Sequence, residues 1–440
     1  MVGEWRGSTI GELCDSGIAE LQTGPFGTQL HAHDYVEDGV PVVPTQAIRN
    51  RQIDHSILPK ISPGKAEQLA RHRLEAGDIL FARRGVQATG QIGYVRAAEA
   101  GFLCGTGAIR LRVTSGDSSV SPDFLSHVLA NPASVEWFKF HAIGATMPNL
   151  NEGIIRSFTF QIPPLPEQRA IAQILGTIDE KVDLNRRLNE TLETMARALF
   201  KSWFVDFDPV RANAKGRGPG LSKSLASLFP GRFVDSELGE IPQGWEVRGL
   251  DDIGHFLNGL ALQSYPPGGG RWLPVIKIAQ LRAGDTSGAD RASADLEPDY
   301  VVQDGDILFS WSGSLECSFW AGGPGALNQH LFKVTSADYP RWLCYLAIHQ
   351  HLDAFRHIAA GKATTMGHIQ RHHLSEAKVP IPPREQLIAM NAILDPIVES
   401  TWRRSVESRT LTALRDALLP KLISGELRVK HAEDFAKAPL

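Results

Sequence analysis

The chain has 440 residues, enough for two or three domains with cores of their own. Hydrophobic residues at 42% and charged residues at 21% exclude a disordered or fibrous chain. A net charge of -4 excludes a protein that grips polyanions by bulk charge, so any nucleic-acid binding must rest on local patches.

Met1 to Gly17 carries no apolar segment of a secretory leader, and no stretch approaches the roughly 18 apolar residues of a membrane span. Cys14, Cys104, Cys317 and Cys344 are too widely spaced for a disulfide framework or a paired zinc site. The expected location is the cytoplasm.

In chain order, Gly24-Pro-Phe-Gly27-Thr28-Gln29-Leu30 reads as a glycine-bracketed turn that presents Thr28 and Gln29. Gly77-Asp-Ile-Leu-Phe81 reads as a turn and a buried strand, so the residues after it emerge at a surface. They are Arg83, Arg84, Gly85, Val86 and Gln87: guanidiniums that fork onto guanine or phosphate, and an amide that pairs with adenine. Gly144 to Asn151 mixes small residues with Thr146, Asn149 and Asn151, for close approach to a ligand or for capping a following helix.

Ile162-Pro-Pro then ends an extended segment, and a helix is expected from near Glu167. Its apolar positions Ile171, Ile174 and Ile178, then Leu188, Leu192, Met195 and Leu199, fall three and four apart within each run, the spacing of a coiled-coil seam. Asn185 occupies the same seam, either to fix register or as a solvated residue. Gly and Pro crowd residues 209–244, which reads as a connector.

The same series then repeats. Trp245 answers Trp5, Gly305-Asp-Ile-Leu-Phe309 answers Gly77 to Phe81, Thr365-Met366 answers Thr146-Met147, and Ile381-Pro-Pro with Glu385-Gln386 answers Ile162-Pro-Pro with Glu167-Gln168. These landmarks keep their order at offsets of 218 to 240, so the chain is an imperfect internal repeat. The second surface loop is Ser310-Trp311-Ser312-Gly313-Ser314, with hydroxyls and an aromatic wedge in place of charge. The weaker counterpart of the glycine turn lies around Gln263, and the last loop carries Lys362, Thr364, Thr365 and Gln370. A second helix from near Glu385 carries Met390, Ile393, Ile397, Leu411, Leu414 and Leu418, interrupted at Arg404 and Ser408. Paired with the first, it would form a rod of about 50 Å.

The common catalytic constellations are missing. Gly361-Lys362 is followed by Ala363, so no phosphate cradle is present. Asn131-Pro132-Ala133-Ser134 lacks the aromatic residue of an amino-methyltransferase motif, and no GxSxG occurs. His368, His372 and His373 lack an HExxH carboxylate and read as a polar or DNA-facing surface; His31, His33 and Asp34 read as a turn. No metal site and no catalytic residue is expected.

Taken together, Gly24 to Leu30, the duplicated Gly-Asp-Ile-Leu-Phe, Ile162-Pro-Pro-Leu-Pro-Glu-Gln-Arg169 leading into Ile178-Asp179, Phe200-Lys-Ser-Trp-Phe-Val-Asp-Phe-Asp-Pro209 and Leu418 to Glu426 resemble the specificity subunit of Type I restriction–modification systems. The resemblance covers nearly the whole chain. It implies an α+β protein: two globular target-recognition domains separated by two long helices that form an antiparallel coiled coil, with a pseudo-two-fold repeat. The implied domains are a first recognition domain at 1–160, a spacer helix at 161–208, the connector at 209–244, a second recognition domain at 245–380, and a distal spacer helix with tail at 381–440. Each recognition domain would read half of a bipartite site in double-stranded DNA. The helices would set the spacing and dock two methyltransferase subunits, which would hold S-adenosylmethionine; ATP-dependent restriction subunits are further expected partners. The chain itself would be non-catalytic and bind no cofactor. The alternatives are a coiled-coil scaffold that does not touch DNA and a self-contained DNA-modifying enzyme.

Overall fold

The computed structural model describes residues 4–85, 87–114, 119–144, 146, 148–216, 226, 228–268, 270–361 and 367–429. It comprises two units, Met1–Glu180 with Thr412–Leu440, and Lys181–Leu411.

In the first unit, Arg6–Thr9 pairs antiparallel with Thr159–Ile162 and ties together the two ends of the globular part. A four-stranded sheet has the order Ala19–Thr23, Ala108–Val113, Ile79–Ala82, Ile92–Tyr94, antiparallel throughout. The turn into its third strand holds Gly77 at φ 96, where a side chain would be strained, and Ile79–Ala82 is buried at every residue. Helices Pro122–Ala130 and Pro132–His141, each opened by proline, bury Phe124, Leu125, Leu129 and Phe138 with Phe81 and Ile92. A second sheet, in the order Leu103–Cys104, Val40–Val43, Lys60–Ile61, Tyr35–Val36, contains a parallel pair.

The second unit repeats this plan. Glu246–Gly249 pairs with Lys378–Ile381. The central sheet runs His255–Asn258, Leu331–Thr335, Ile307–Ser310, Cys317–Phe319, and a second sheet again contains one parallel pair. Gly305 repeats the left-handed turn at φ 88. A single helix, Arg341–Ala360, replaces the two of the first unit, because nothing in it corresponds to Pro132, which removes a helical N–H and breaks the run.

The long helices are Leu165–Phe200 and Arg384–Ser424, each starting directly after its proline pair. Within each unit their segments are antiparallel, since partners rise in number on one as they fall on the other. Glu167 meets Arg428, just past the helix end, and Asp179 meets Arg415 in the first unit; Asn185 meets Ser408 and Asn189 meets Ser405 in the second.

The seam differs from the expected one in its middle. Ile171 and Met390 are buried in the cores, and Ile174, Leu199, Ile393, Ile397 and Leu418 pack beside them. Ile178, Leu192 and Leu411 are half-buried. Leu188, Met195 and Leu414 lie on the outward side, exposed by 36%, 48% and 48%. A straight helix drifts from a seven-residue repeat, and here Leu175, Ala196, Leu394, Val398 and Leu422 take the inner places. Asn185 is fully buried, and its Nδ2 donates to Glu407 Oε2 at 2.8 Å and Ser408 Oγ at 3.2 Å.

The run from Phe200 to Pro209 leaves the helix through a π turn, Lys201–Val205. Trp203, Phe204 and Phe207 are buried there, with Phe200 stacked on Phe204 at 4.6 Å and Phe204 tilted on Trp245 at 5.4 Å. The expected connector is therefore structured at both ends: Asp208–Ala214 is helical, and Phe233–Ser236 forms a hairpin with Gly239–Pro242. Val210, Phe229 and Ile241 join the core because apolar side chains so placed are cheaper buried than exposed. Among the described residues, no helix is long and apolar enough to cross a membrane.

Candidate nucleic-acid interface

In the first unit the arginine loop and the loop before the proline stop converge. Arg83 N donates to Gly107 O at 2.9 Å, Leu150 N donates to Arg83 O at 2.8 Å, and Thr89 Oγ1 ties the loops through Gly85 O and Pro148 O. Arg83 Nε donates to Asn149 Oδ1 at 2.9 Å, so Arg83 is half held by the frame. Arg84, Gln87 and Thr146 are exposed. Arg84 crosses Gly107, where an added Cβ would meet Arg84 Nε at 3.3 Å and Thr45 Cγ2 at 2.7 Å; a glycine is what lets the guanidinium stem lie there.

The glycine turn leaves the same end of the sheet, since Gly24 N donates to Ala108 O at 2.9 Å and Ala108 pairs with Ala82. Thr28 is exposed, and Gln29 Oε1 accepts from Phe26 N at 3.1 Å. Asn151 takes the capping role: its Oδ1 accepts from Ile154 N at 2.9 Å at the start of Glu152–Arg156.

The second unit builds the same frame. Trp311 N donates to His330 O at 3.3 Å, Ile369 N donates to Trp311 O at 2.9 Å, and Gly259 N donates to Leu331 O at 3.1 Å. The side chains differ. Trp311 is half-buried, its Nε1 donating to Asn258 Oδ1 at 2.9 Å and Gln329 O at 3.1 Å, and its ring lies near His330, Phe332 and His368. It is part of the frame rather than a projecting wedge, because an indole N–H in a closed site needs its partner. Ser312, expected at the surface, is 3% exposed, its Oγ 2.9 Å from His330 Nδ1. Ser314, Gln263 and Gln370 are exposed. Lys362, Thr364 and Thr365 lie outside the described residues.

Sequence reasoning missed Asn258, His330, Arg282 and Arg356. The first two follow once the repeat is aligned strand by strand. The arginines line a cleft of about 590 Å³ beside Gly313 and Ser314, where Glu316 pairs with both, and only tertiary structure brings them there. Of the histidine cluster, His372 and His373 bring donor atoms within 4.8 Å of each other and of Glu376. His373 Nδ1 already accepts from Gln370 N at 2.9 Å.

A buried ionic network fixes the first unit's globular part to its helical segments. Arg51, at φ 63 in a tight hairpin, donates to Asp179 Oδ2 at 2.7 Å, Ser126 Oγ at 2.9 Å and Asp123. Arg415 reaches the other oxygen of Asp179 at 3.0 Å. Burial pushes the Arg51 guanidinium down and the Asp123 carboxyl up, each opposed by the other's charge. In the second unit the corresponding anchor is the fork of Arg409 onto Asp304.

The family model for the Type I restriction modification DNA specificity domain matches residues 3–194 and 242–401, one match for each repeat. The chain belongs to that family. Relatives among Type I specificity proteins include the Type I restriction enzyme HindI specificity subunit of Haemophilus influenzae, 26% identical over 358 residues, 70% of this chain and 78% of that one. The MjaIX specificity subunit of Methanocaldococcus jannaschii is 26% identical over 357 residues, 77% of this chain and 76% of that one. The crystal structure of a Type-I restriction-modification system S subunit from M. genitalium shares the specificity-family fold, with a TM-score of 0.60 and 15% identity over 96% of each chain.

Proposed function

We propose that this chain is the DNA sequence-specificity subunit of a Type I restriction–modification complex, and that each unit reads one half of a bipartite site. The observation that carries the reading is the duplicated loop frame, with Leu150 N on Arg83 O at 2.8 Å and Ile369 N on Trp311 O at 2.9 Å. The same backbone geometry is built twice and furnished with different side chains, which is what a split, asymmetric site requires. Arg84 and Gln87 supply phosphate and base contacts in one half, and the second half is read by Ser314, Gln370 and the arginines of its cleft.

The long helices set the distance between half-sites, and the repeated exterior docks two modification subunits. Those subunits hold S-adenosylmethionine and carry out adenine methylation; this chain supplies the address and no chemistry. Restriction subunits join the complex where the system encodes them. Sharing phosphate contacts with partners accounts for a specificity chain that is not basic overall.

The test is single-molecule mapping of methylated adenine across the host genome with and without this gene. Loss of one split motif on deletion is the expected result. A purified complex with its modification subunits that shows no sequence preference overturns the reading.

A further inference from the structure

We propose that Ile143, flanked by Phe140, is the apolar base-reading element of the first unit and contacts the C5-methyl group of a thymine in its half-site. The proposal rests on the DNA-specificity reading above and adds a residue pair and a base to it.

Asn149 is bridged antiparallel on one side to Arg84 and on the other to Ile143, with Ile143 N to Asn149 O and Asn149 N to Ile143 O both at 3.0 Å. Directly opposed residues in such pairs carry their side chains on one face, about 5 Å apart. Arg84, Asn149 and Ile143 therefore form a single row. Asn149 Oδ1 is held by Arg83 Nε at 2.9 Å, so the side chains the row presents are the guanidinium of Arg84 and the branched alkyl group of Ile143, which match guanine or phosphate and the thymine methyl of a major groove.

Folding gives no reason for these apolar side chains to face outward. Ile143 is 63% exposed and Phe140 85%, the highest value of any large hydrophobic residue among the described residues. Exposed large apolar groups three residues apart in the chain are what a contact surface leaves on a folded protein. The surrounding charge selects the occupant: Arg84 and Lys139, both exposed and cationic, outnumber the exposed Glu136 one turn before Phe140, which suits a polyanion. Phe140 and Ile143 themselves lie at the C-terminal end of Pro132–His141, whose negative dipole end disfavours phosphate. The base edge, rather than the backbone, is the partner left for them. In the second unit Ser312 and His368 take the first two places of the row.

The experiment uses the complex of this chain with its modification subunits and a duplex carrying its mapped site. Each thymine in both half-sites is replaced in turn by deoxyuridine, which removes only the methyl group, and binding is measured at fixed salt. One position is expected to weaken native binding about fourfold, the worth of one buried methyl group. With Ile143→Ala that sensitivity disappears, and Ile143→Val retains it. Phe140→Ala weakens binding to the native duplex. A flat scan, a site without thymine, or an Ile143→Ala complex that still senses the methyl overturns the proposal. Arg84→Ala separates the two levels: if it weakens binding while the scan is flat, only the methyl contact falls. If Arg84→Ala, Phe140→Ala and Ile143→Ala all bind as the native complex does, the assignment of this face to DNA falls with it.

Discussion

The two loop faces have the same skeleton and nearly opposite surfaces. In the first unit the residue after the buried strand is an arginine with an exposed arginine next to it; in the second it is a half-buried tryptophan next to a buried serine. Both frames are held by main-chain bonds and by glycines whose Cβ would strike backbone: Gly24 against Gly105 O at 2.0 Å, Gly259 against Asn328 O at 2.3 Å. A frame that does not depend on the side chains it presents leaves those side chains free to change. The second unit shows how far that goes, since its loop residues form an internal hydrogen-bonded cluster and the charge beside them is Arg282 and Arg356, both paired with Glu316.

The largest expected effect tests whether the units are anchored separately. Asp179→Ala takes the shared carboxylate from Arg51, which keeps Asp123, and from Arg415, which keeps Asp416. Breaking a buried pair costs about 3–5 kcal/mol, and the remaining partners hold the loss to the lower end, about 3 kcal/mol. Hydrogen exchange should accelerate in peptides of the first unit and stay unchanged around Asp304 and Arg409. Equal loss of protection in both units would show that the two anchors act as one.

Acid should act on both units through buried neutral histidines. Burial holds His72 down at about 4, helped by Arg71 and Arg110, and His349 down at about 3, helped by Arg197. His72 Nε2 accepts from Arg71 Nε at 3.0 Å, a role open only to the neutral ring. With folded values below the ordinary 6.5, each histidine's stability contribution is whole above pH 6.5. It is lost as pH falls through that value toward about 4 for His72 and about 3 for His349. Denaturant melts of His72→Gln should fall less steeply than native between pH 6.5 and 4. Titration of the two rings by NMR should place His349 below His72.

The loop comparison itself is sharpened by salt. Arg84→Ala should cost about 1–3 kcal/mol in DNA affinity and reduce the salt slope by about one. Trp311→Phe keeps an aromatic ring but removes the one indole N–H shared by Asn258 Oδ1 and Gln329 O and leaves a smaller side chain in the site. It should cost about 1–3 kcal/mol in folding stability and leave the salt slope unchanged. Binding that responds to salt identically in both variants would mean that Arg84 touches no phosphate.

Much of this was legible in the sequence for a definite reason. Gly77 and Gly305, the proline pairs and the buried Ile-Leu-Phe strands act through local chemistry, so the repeat, the helix starts and the loops after each strand could be located. The phase of the helix seam was less legible: spacing alone does not say whether Leu188 or Ala196 faces inward when the helices also pack against globular cores. The run Phe200 to Pro209 was recognisable as a motif, and the structure gives it a packing role in the second unit's core. Trp311 and Ile143 show the limit most clearly. An indole reads as a contact residue and an isoleucine as core, until tertiary partners occupy the first and the fold leaves the second bare.

The smallest expected effect concerns Asn185. Its Nδ2 makes two hydrogen bonds, but among the described residues its buried Oδ1 has no partner. Asn185→Leu removes that unmet acceptor and adds apolar burial, while Glu407 and Ser408 lose a donor. These terms oppose one another, and the melting midpoint should move by less than about 1 kcal/mol equivalent. The informative readout is a different one. A polar residue in an apolar seam penalises alignments that leave it without partners, and with leucine a shifted pairing of the helices loses that penalty. If the helices set the distance between half-sites, the leucine variant should methylate duplexes whose spacer is one base pair longer or shorter more readily than the native complex does. Unchanged spacer discrimination at unchanged stability would mean that the apolar contacts around Met390 and Leu394 hold the register alone.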